Sequence, residues 1–268
     1  MSEAKSDYNQ LLRRIEHFSE QLYDAAQDSS EKLADDANDR FAPMFDALKQ
    51  IVDRYDQREL IGSGGMKDVY RVYDLRSVRH VAMAKPSAKL QQEDFDAFLR
   101  EAHLTARLEH PGIINLFDMG IDEDGVPFFT MEFKKGQSLR EIISDLRSGK
   151  RDHEFSLNQR LSIVLRVCEA IAYAHSRRVL HLDVKPENIQ VGVFGEVQLC
   201  DWGMGVVVPR PGESLRNSEV LLDPDIYGPL LDRVQGTPGY MAPEQRDPRE
   251  RKIEQMDVYA IGCLLHEV

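Results

Sequence analysis

Apolar and polar positions change rhythm twice along the chain. Over residues 1–56, apolar side chains recur at three- and four-residue steps: Leu11, Ile15, Phe18 and Leu22, then Phe41, Met44, Phe45, Leu48, Ile51, Val52 and Tyr55. Such stripes predict two helices, broken by the polar run DSSEKLADDAND. They form a helical N-terminal extension that either packs on the rest of the chain or offers a face to a partner. From Glu59 short β-like runs alternate with turn glycines, in ELIGSGGMKDVYRVYD and then RHVAMAKP. A helix is predicted over about 91–108, followed by two strands, IINLFDMG and PFFTMEF, on either side of the turn DEDG. After Gly136 the pattern is mainly helical. Ser138 caps a helix running to Leu146, and Ser156 caps a longer one running to about Arg178. The buried face of the longer helix is predicted to carry Leu161, Val164, Leu165, Cys168, Ile171 and Ala172. A small β-rich lobe over 57–133 and a helical lobe over 134–268 make an α+β arrangement with a cleft between them.

Composition narrows the function more by exclusion than by indication. The 268 residues suffice for one or two domains with a real core, and 42% apolar with 30% charged residues is an ordinary soluble profile. No apolar run approaches the ~20 residues that span a bilayer. The start MSEAKSDYNQ lacks the apolar core of a secretory signal. Cys168, Cys200 and Cys263 are far apart and odd in number, which suggests neither a disulfide framework nor a zinc site and makes a cytoplasmic setting the simplest expectation. A net charge of -12 argues against nucleic acid as a main partner. Neither G-x-S-x-G nor H-E-x-x-H occurs, so a serine hydrolase or a zinc hydrolase lacks its signature.

The chemistry concentrates in a few segments. His181-Leu182-Asp183-Val184-Lys185-Pro186-Glu187-Asn188 holds a carboxylate, a cation and an amide at fixed spacing. Phosphoryl transfer to a hydroxyl needs an acceptor for the hydroxyl proton, a positive group near the γ-phosphate and oxygen ligands for a metal. Thirteen residues past Asn188 comes Asp201-Trp202-Gly203, after a run, IQVGVFGEVQLC, that reads as a hairpin returning Asp201 beside Asn188. Gly62-Ser63-Gly64-Gly65-Met66-Lys67-Asp68-Val69 is a glycine loop whose backbone amides can approach phosphates closely.

Together these segments resemble the eukaryotic-like, bacterial-type serine/threonine protein kinases over about residues 58–268. The resemblance implies a bilobal fold, ATP and Mg2+ as cofactors, and a protein hydroxyl as acceptor. It implies Asp183 and Lys185 as catalytic residues, and Asn188 and Asp201 as ligands of Mg2+. Ile61, Gly62, Gly64 and Val69 would line the nucleotide, Lys85 paired with Glu101 would align its phosphates, and Met131, Glu132 and Phe133 would form the hinge at the adenine. Gly236-Thr237-Pro238-Gly239-Tyr240-Met241-Ala242-Pro243-Glu244 resembles the end of the family's activation segment, and Asp257 its brace for the catalytic loop.

Several positions depart from the pattern. In the family's V-A-x-K the alanine lies two residues before the lysine, whereas here Met83 stands two before Lys85, between Ala82 and Ala84. Either Met83 presses toward the adenine or the strand is bulged. Lys67 replaces the third glycine of the loop, the position from which with-no-lysine kinases supply their phosphate-binding lysine. Lys67 therefore either supplements or replaces Lys85, or simply faces solvent. Leu182 stands where most kinases have an arginine that binds an activation-loop phosphate, so loop phosphorylation is not expected to be the main switch. Ser214, Ser218 and Tyr227 lie in a long insert of that loop. The family carries further helices after the one that begins near Asp257, so a fragment of a longer kinase is expected. The reading is an ATP-dependent serine/threonine kinase; the alternative is a pseudokinase or nucleotide-binding scaffold, which Met83, Leu182 and the early end favour.

Overall fold

A computed structural model of the chain describes residues 54–88, 95–149, 155–208 and 234–268. The predicted N-terminal helices and the hydroxyls of Ser214, Ser218 and Tyr227 lie outside the described residues. Within them, 55–74 and 78–268 belong to one contact unit.

The first part of that unit is a five-stranded antiparallel sheet in the order β1-β2-β3-β5-β4. Its strands are β1 (Tyr55–Ser63), β2 (Lys67–Asp74), β3 (Arg79–Pro86), β4 (Leu116–Ile121) and β5 (Pro127–Glu132). Side chains alternate between the two faces of a strand, and β3, central in the sheet, is apolar on both. Val81 and Met83 pack with Val72, Tyr55, Tyr70 and Phe128 on one face. Ala84 packs on the other with Val69, Phe98, Ala102, Phe129 and Met131. Phe98 and Ala102 come from helix α1 (Phe95–Ala106), so this second face is the one the helix covers. The β2–β3 register runs unbroken from Lys67↔Pro86 to Asp74↔Arg79, and there is no bulge at Met83.

The second part is helical. Strand β6 (Gly136–Ser138) leads into α2 (Leu139–Arg147), and α3 (Leu157–Ser176) follows. Both helices begin with the predicted serine, each closed by a reciprocal capping box: Ser138 with Glu141, and Ser156 with Gln159. The face of α3 differs from the expectation. Ile163, Val164, Val167, Ala170, Ile171 and Ala174 are buried, whereas Leu161 and Leu165 are exposed. Leu157, Leu161 and Leu165 form a second apolar stripe, and periodicity alone does not say which of two stripes faces the core. Short strands β7 (Val179–Leu180), β8 (Ile189–Gly192), β9 (Val197–Leu199) and β10 (Val206–Val207) carry the loops of the site, and α4 (Gln255–Glu267) packs against α3. Among the described residues no helix is long and apolar enough to cross a membrane.

Candidate active site

The hairpin β8–β9 pairs Ile189 with Leu199, and the Cys200 N–H donates to the Asn188 carbonyl at 2.8 Å. That return sets Asp201 beside the 181–188 loop. The loop itself is held from beneath by Asp257 in the first turn of α4. Its fully buried carboxylate accepts from the backbone N–H groups of His181 (2.9 Å) and Leu182 (2.7 Å) and contacts His175 Nε2 at 2.8 Å. Leu182 adopts φ +62°, left-handed backbone that costs a non-glycine residue energy and persists only when its surroundings fix it. The fixing groups are visible: Asp257 holds its N–H, and Gln245 Nε2 donates to its carbonyl at 2.8 Å. The Leu182 side chain lies among Leu180, Val206, Ala242 and Met256, so hydrocarbon fills the position where the family pattern has an arginine.

Around Asp183 the polar groups form a closed set. Asp183 accepts from Lys185 Nζ at 2.7 Å on Oδ2 and from the Thr237 hydroxyl at 2.6 Å on Oδ1. Lys185 also donates to the Thr237 hydroxyl oxygen at 2.8 Å. Asn188 Nδ2 donates to the Asp183 carbonyl at 2.9 Å and lies 3.2 Å from its carboxylate. Thr237 reaches this point because Gly236 turns the chain at φ +121°, where a Cβ would stand 2.8 Å from the Leu182 carbonyl oxygen.

On the sheet side the lysine assignment changes. Lys67, two residues before Val69 on β2, shares the face that Val69 and Ala84 turn toward α1. Its ammonium binds the Glu101 carboxylate of α1 and donates to Asp201 Oδ1 at 2.8 Å. Lys85 does not pair with Glu101. It lies on the Met83 face, where its ammonium binds Asp122 at the β4–β5 turn. The cause is strand alternation in an unbulged strand: read from Val81, the family's lysine position falls on Ala84. Burial lowers the pKa of Lys67, but the carboxylates of Glu101 and Asp201 more than reverse this and hold it above the usual lysine range. Burial raises Glu101, and Lys67 offsets only part of that rise. For Asp201 burial is outweighed by Lys67, and its carboxyl is held below the usual range.

The remaining predicted residues lie on β1, in the β1–β2 turn and on or just after β5. Ile61 is exposed on β1, Gly62 pairs with Val69, and the Gly64 N–H closes the loop on the Lys67 carbonyl at 2.9 Å. Met131 is half-buried on the α1 face. The Glu132 N–H is committed to the Asn115 carbonyl at 2.9 Å, and its carboxylate accepts from Gln198 at 2.9 Å. Phe133 lies under the Arg71 guanidinium. Trp202 is fully buried against His181, with ring centroids 4.6 Å apart. The Cys200 thiol lies 3.8 Å from the Gln198 carbonyl oxygen and is pushed up to about 12 by burial. His175, Gln245 and Arg140 escaped the sequence reading; each works through a partner far along the chain, which no local pattern signals.

A sheet with one covering helix, a helical lobe, and two loops meeting an ammonium–carboxylate cluster define a protein kinase fold. The chain belongs to the protein kinase family: the family model described as the protein kinase domain matches residues 55–268. It is similar to the serine/threonine-protein kinase PknD of Protochlamydia amoebophila, 35% identical over 228 residues covering 81% of this chain and 23% of that protein. The PknD proteins of Chlamydia caviae and Chlamydia felis are 34% and 35% identical over 224 residues, covering 80% of this chain and 24% of each relative. The chain thus spans about a quarter of the length of these curated relatives.

Proposed function

We propose that this chain binds Mg-ATP and transfers the γ-phosphoryl group to a serine or threonine hydroxyl of a protein, with Lys67 rather than Lys85 holding the nucleotide's phosphates. One observation carries the reading: a single ammonium, Lys67, joins Glu101 of α1 to Asp201, while Asp183, Lys185, Asn188 and Thr237 form one hydrogen-bonded set. The first cluster has the charge to grip phosphates, and the second has the acceptor for a hydroxyl proton.

The oxygen donors fit a hard divalent cation. Asn188 uses its amide nitrogen on Asp183, which leaves its carbonyl oxygen as the ligand, and only one oxygen of Asp201 is taken by Lys67. Asn188 and Asp201 would hold Mg2+, which neutralises charge on the β- and γ-phosphates when bound. Gly65 has open space where a Cβ would stand, and one at Gly64 would meet only the Lys67 carbonyl oxygen at ordinary contact distance, so the loop is free to lie close over phosphates.

Asp183 orients the acceptor hydroxyl and takes its proton late in the transfer. Lys185, at 2.7 Å from Asp183, stabilises the charge that develops on the transferred group. Thr237 ties the segment on which the acceptor peptide rests to both groups, so that positioning and electrostatics supply most of the rate. The test is incorporation of label from γ-labelled ATP into a generic protein acceptor, compared with Asp183→Asn. Labelling that persists in the variant would leave the scaffold reading standing.

A further inference from the structure

Between the 181–188 loop and the segment that carries Thr237 runs a link that the chemistry of phosphoryl transfer does not itself require. Gln245 lies in the short 3-10 turn Pro243–Arg246, with 1% of its surface exposed. Its Nε2 donates to the Leu182 carbonyl at 2.8 Å and also to the Gln235 carbonyl. An amide nitrogen carries two hydrogens, so both are spent. One neutral group thus holds two chain segments, 63 and 10 residues away from it in sequence. Next along, the Gly236 N–H donates to the Met204 thioether at 3.1 Å.

The residues on either side are fitted to this amide. Leu182 is the left-handed residue of the loop, and the bond to its carbonyl is one of those that fix it there. Gly236 has φ +121°, and a Cβ on it would stand 2.5 Å from Gln245 Nε2, so the passage of the amide is itself a reason for glycine. One residue on, Thr237 binds Asp183 and Lys185. Three residues further, the Tyr240 hydroxyl accepts from Arg140 Nη2, whose Nε and Nη1 bind Glu187 and Glu267. The Thr237 and Tyr240 bonds are partly open to water, whereas both bonds of Gln245 are buried. A buried carbonyl stripped of its donor is costly, so losing the amide must shift one segment or both. Leu182 carries no charge where the family pattern has a phosphate-binding arginine, and here loop and segment meet through an uncharged hydrogen-bonded bridge.

We propose that Gln245 is a positioning residue: by binding the Leu182 and Gln235 carbonyls together it couples the 181–188 loop to segment 235–237, and so sets Thr237 against Asp183 and Lys185 without an added phosphate. The proposal rests on the reading of the site as one that phosphorylates a peptide hydroxyl. Its consequence is one-sided. The acceptor half of the reaction depends on Gln245, while the nucleotide half is held separately by Lys67 with Glu101 and Asp201.

The experiment uses the full chain, Gln245→Met, which keeps bulk but has no donor, and Gln245→Glu, which keeps shape but loses the amide hydrogens. Steady-state transfer from γ-labelled ATP to a peptide with one serine is read with each substrate varied in turn. Amide hydrogen exchange is read on the peptide spanning 234–241 and on the hairpin peptide spanning 189–199. In both variants kcat/KM for the serine peptide falls about tenfold or more, the size of a lost buried hydrogen bond, while KM for ATP changes by less than about twofold. Exchange over 234–241 quickens about tenfold or more, and over 189–199 it keeps its rate. The unaltered chain, stripped of phosphate by a protein phosphatase, keeps its kcat/KM within about twofold. Gln245→Glu decides the matter should the methionine variant fail to fold. Variants that melt earlier but, below that temperature, keep their peptide kinetics and their exchange over 234–241 overturn the proposal. So does a KM for ATP that rises as much as that for the peptide, or a tenfold loss on phosphatase treatment. An unaltered chain that never labels a peptide overturns the reading of the site as catalytic, while the exchange over 234–241 still decides whether Gln245 couples the two segments.

Discussion

The 181–188 loop and the α1-facing side of the sheet were built under different tolerances. In the loop, Asp183, Lys185 and Asn188 stand at the spacing the family pattern gives and are joined to one another by hydrogen bonds, while Asp257 of α4 holds the backbone of His181 and Leu182. On that face of the sheet the cation stands on β2 rather than on its neighbour β3, leaving Ala84 where the pattern has lysine. A loop whose residues must fix a left-handed Leu182 and a buried Asp257 has little freedom to exchange roles. A sheet face offers several neighbouring positions from which a long, flexible side chain can deliver its ammonium to the same carboxylate. If what the site requires there is only a charge in space, adjacent strands can supply it equally well.

This contrast can be broken or sharpened by mutation. The largest effect is expected at Asp183→Asn, with kcat falling on the order of 10³-fold and ATP affinity nearly unchanged, since the proton acceptor is lost but the phosphate grip is not. Lys67→Met is next, with kcat/KM for ATP reduced by about 10²-fold or more, the scale of losing a preorganised charge in a partly buried site. If the grip is a charge in space, Ala84→Lys in the Lys67→Met background recovers about tenfold or more of that loss, because position 84 faces α1 and Glu101. No recovery would mean that the strand itself matters. Asp257→Ala leaves two buried N–H groups without acceptors, and urea unfolding should report about 3 kcal/mol of lost stability. Lys85→Met is expected to be the mildest, costing about 1–2 kcal/mol because Asp122 keeps its backbone donors Asp124 and Val126 but loses its ammonium, and changing kcat/KM by less than about threefold. A large catalytic loss at Lys85 would reverse the assignment.

The sequence made the two-lobe architecture legible because turn glycines, capping serines and strand alternation are local signals. The 181–188 loop was legible for the same reason. Of the two candidate lysines, the pair expected between Lys85 and Glu101 does not form, because alternation from Val81 puts Ala84 toward α1 and Lys85 away from it, and Lys67 meets Glu101 instead. The core face of α3 was misread because Leu157, Leu161 and Leu165 make a second stripe as regular as the buried one. Asp257 was found from its motif, but its partner His175, 82 residues away, was not. Arg140 likewise gives no local sign, since its three partners lie 47 to 127 residues distant.

The relocated cation has a mechanical corollary. Lys67 rides on the strand that continues directly from the glycine turn, whereas a β3 lysine would sit at the centre of the sheet. Any displacement of that turn would therefore act first on the contacts of Lys67 with Glu101 and Asp201, which reach across to α1 and to the segment after β9. A lysine on β3 would have no such direct chain link to the turn.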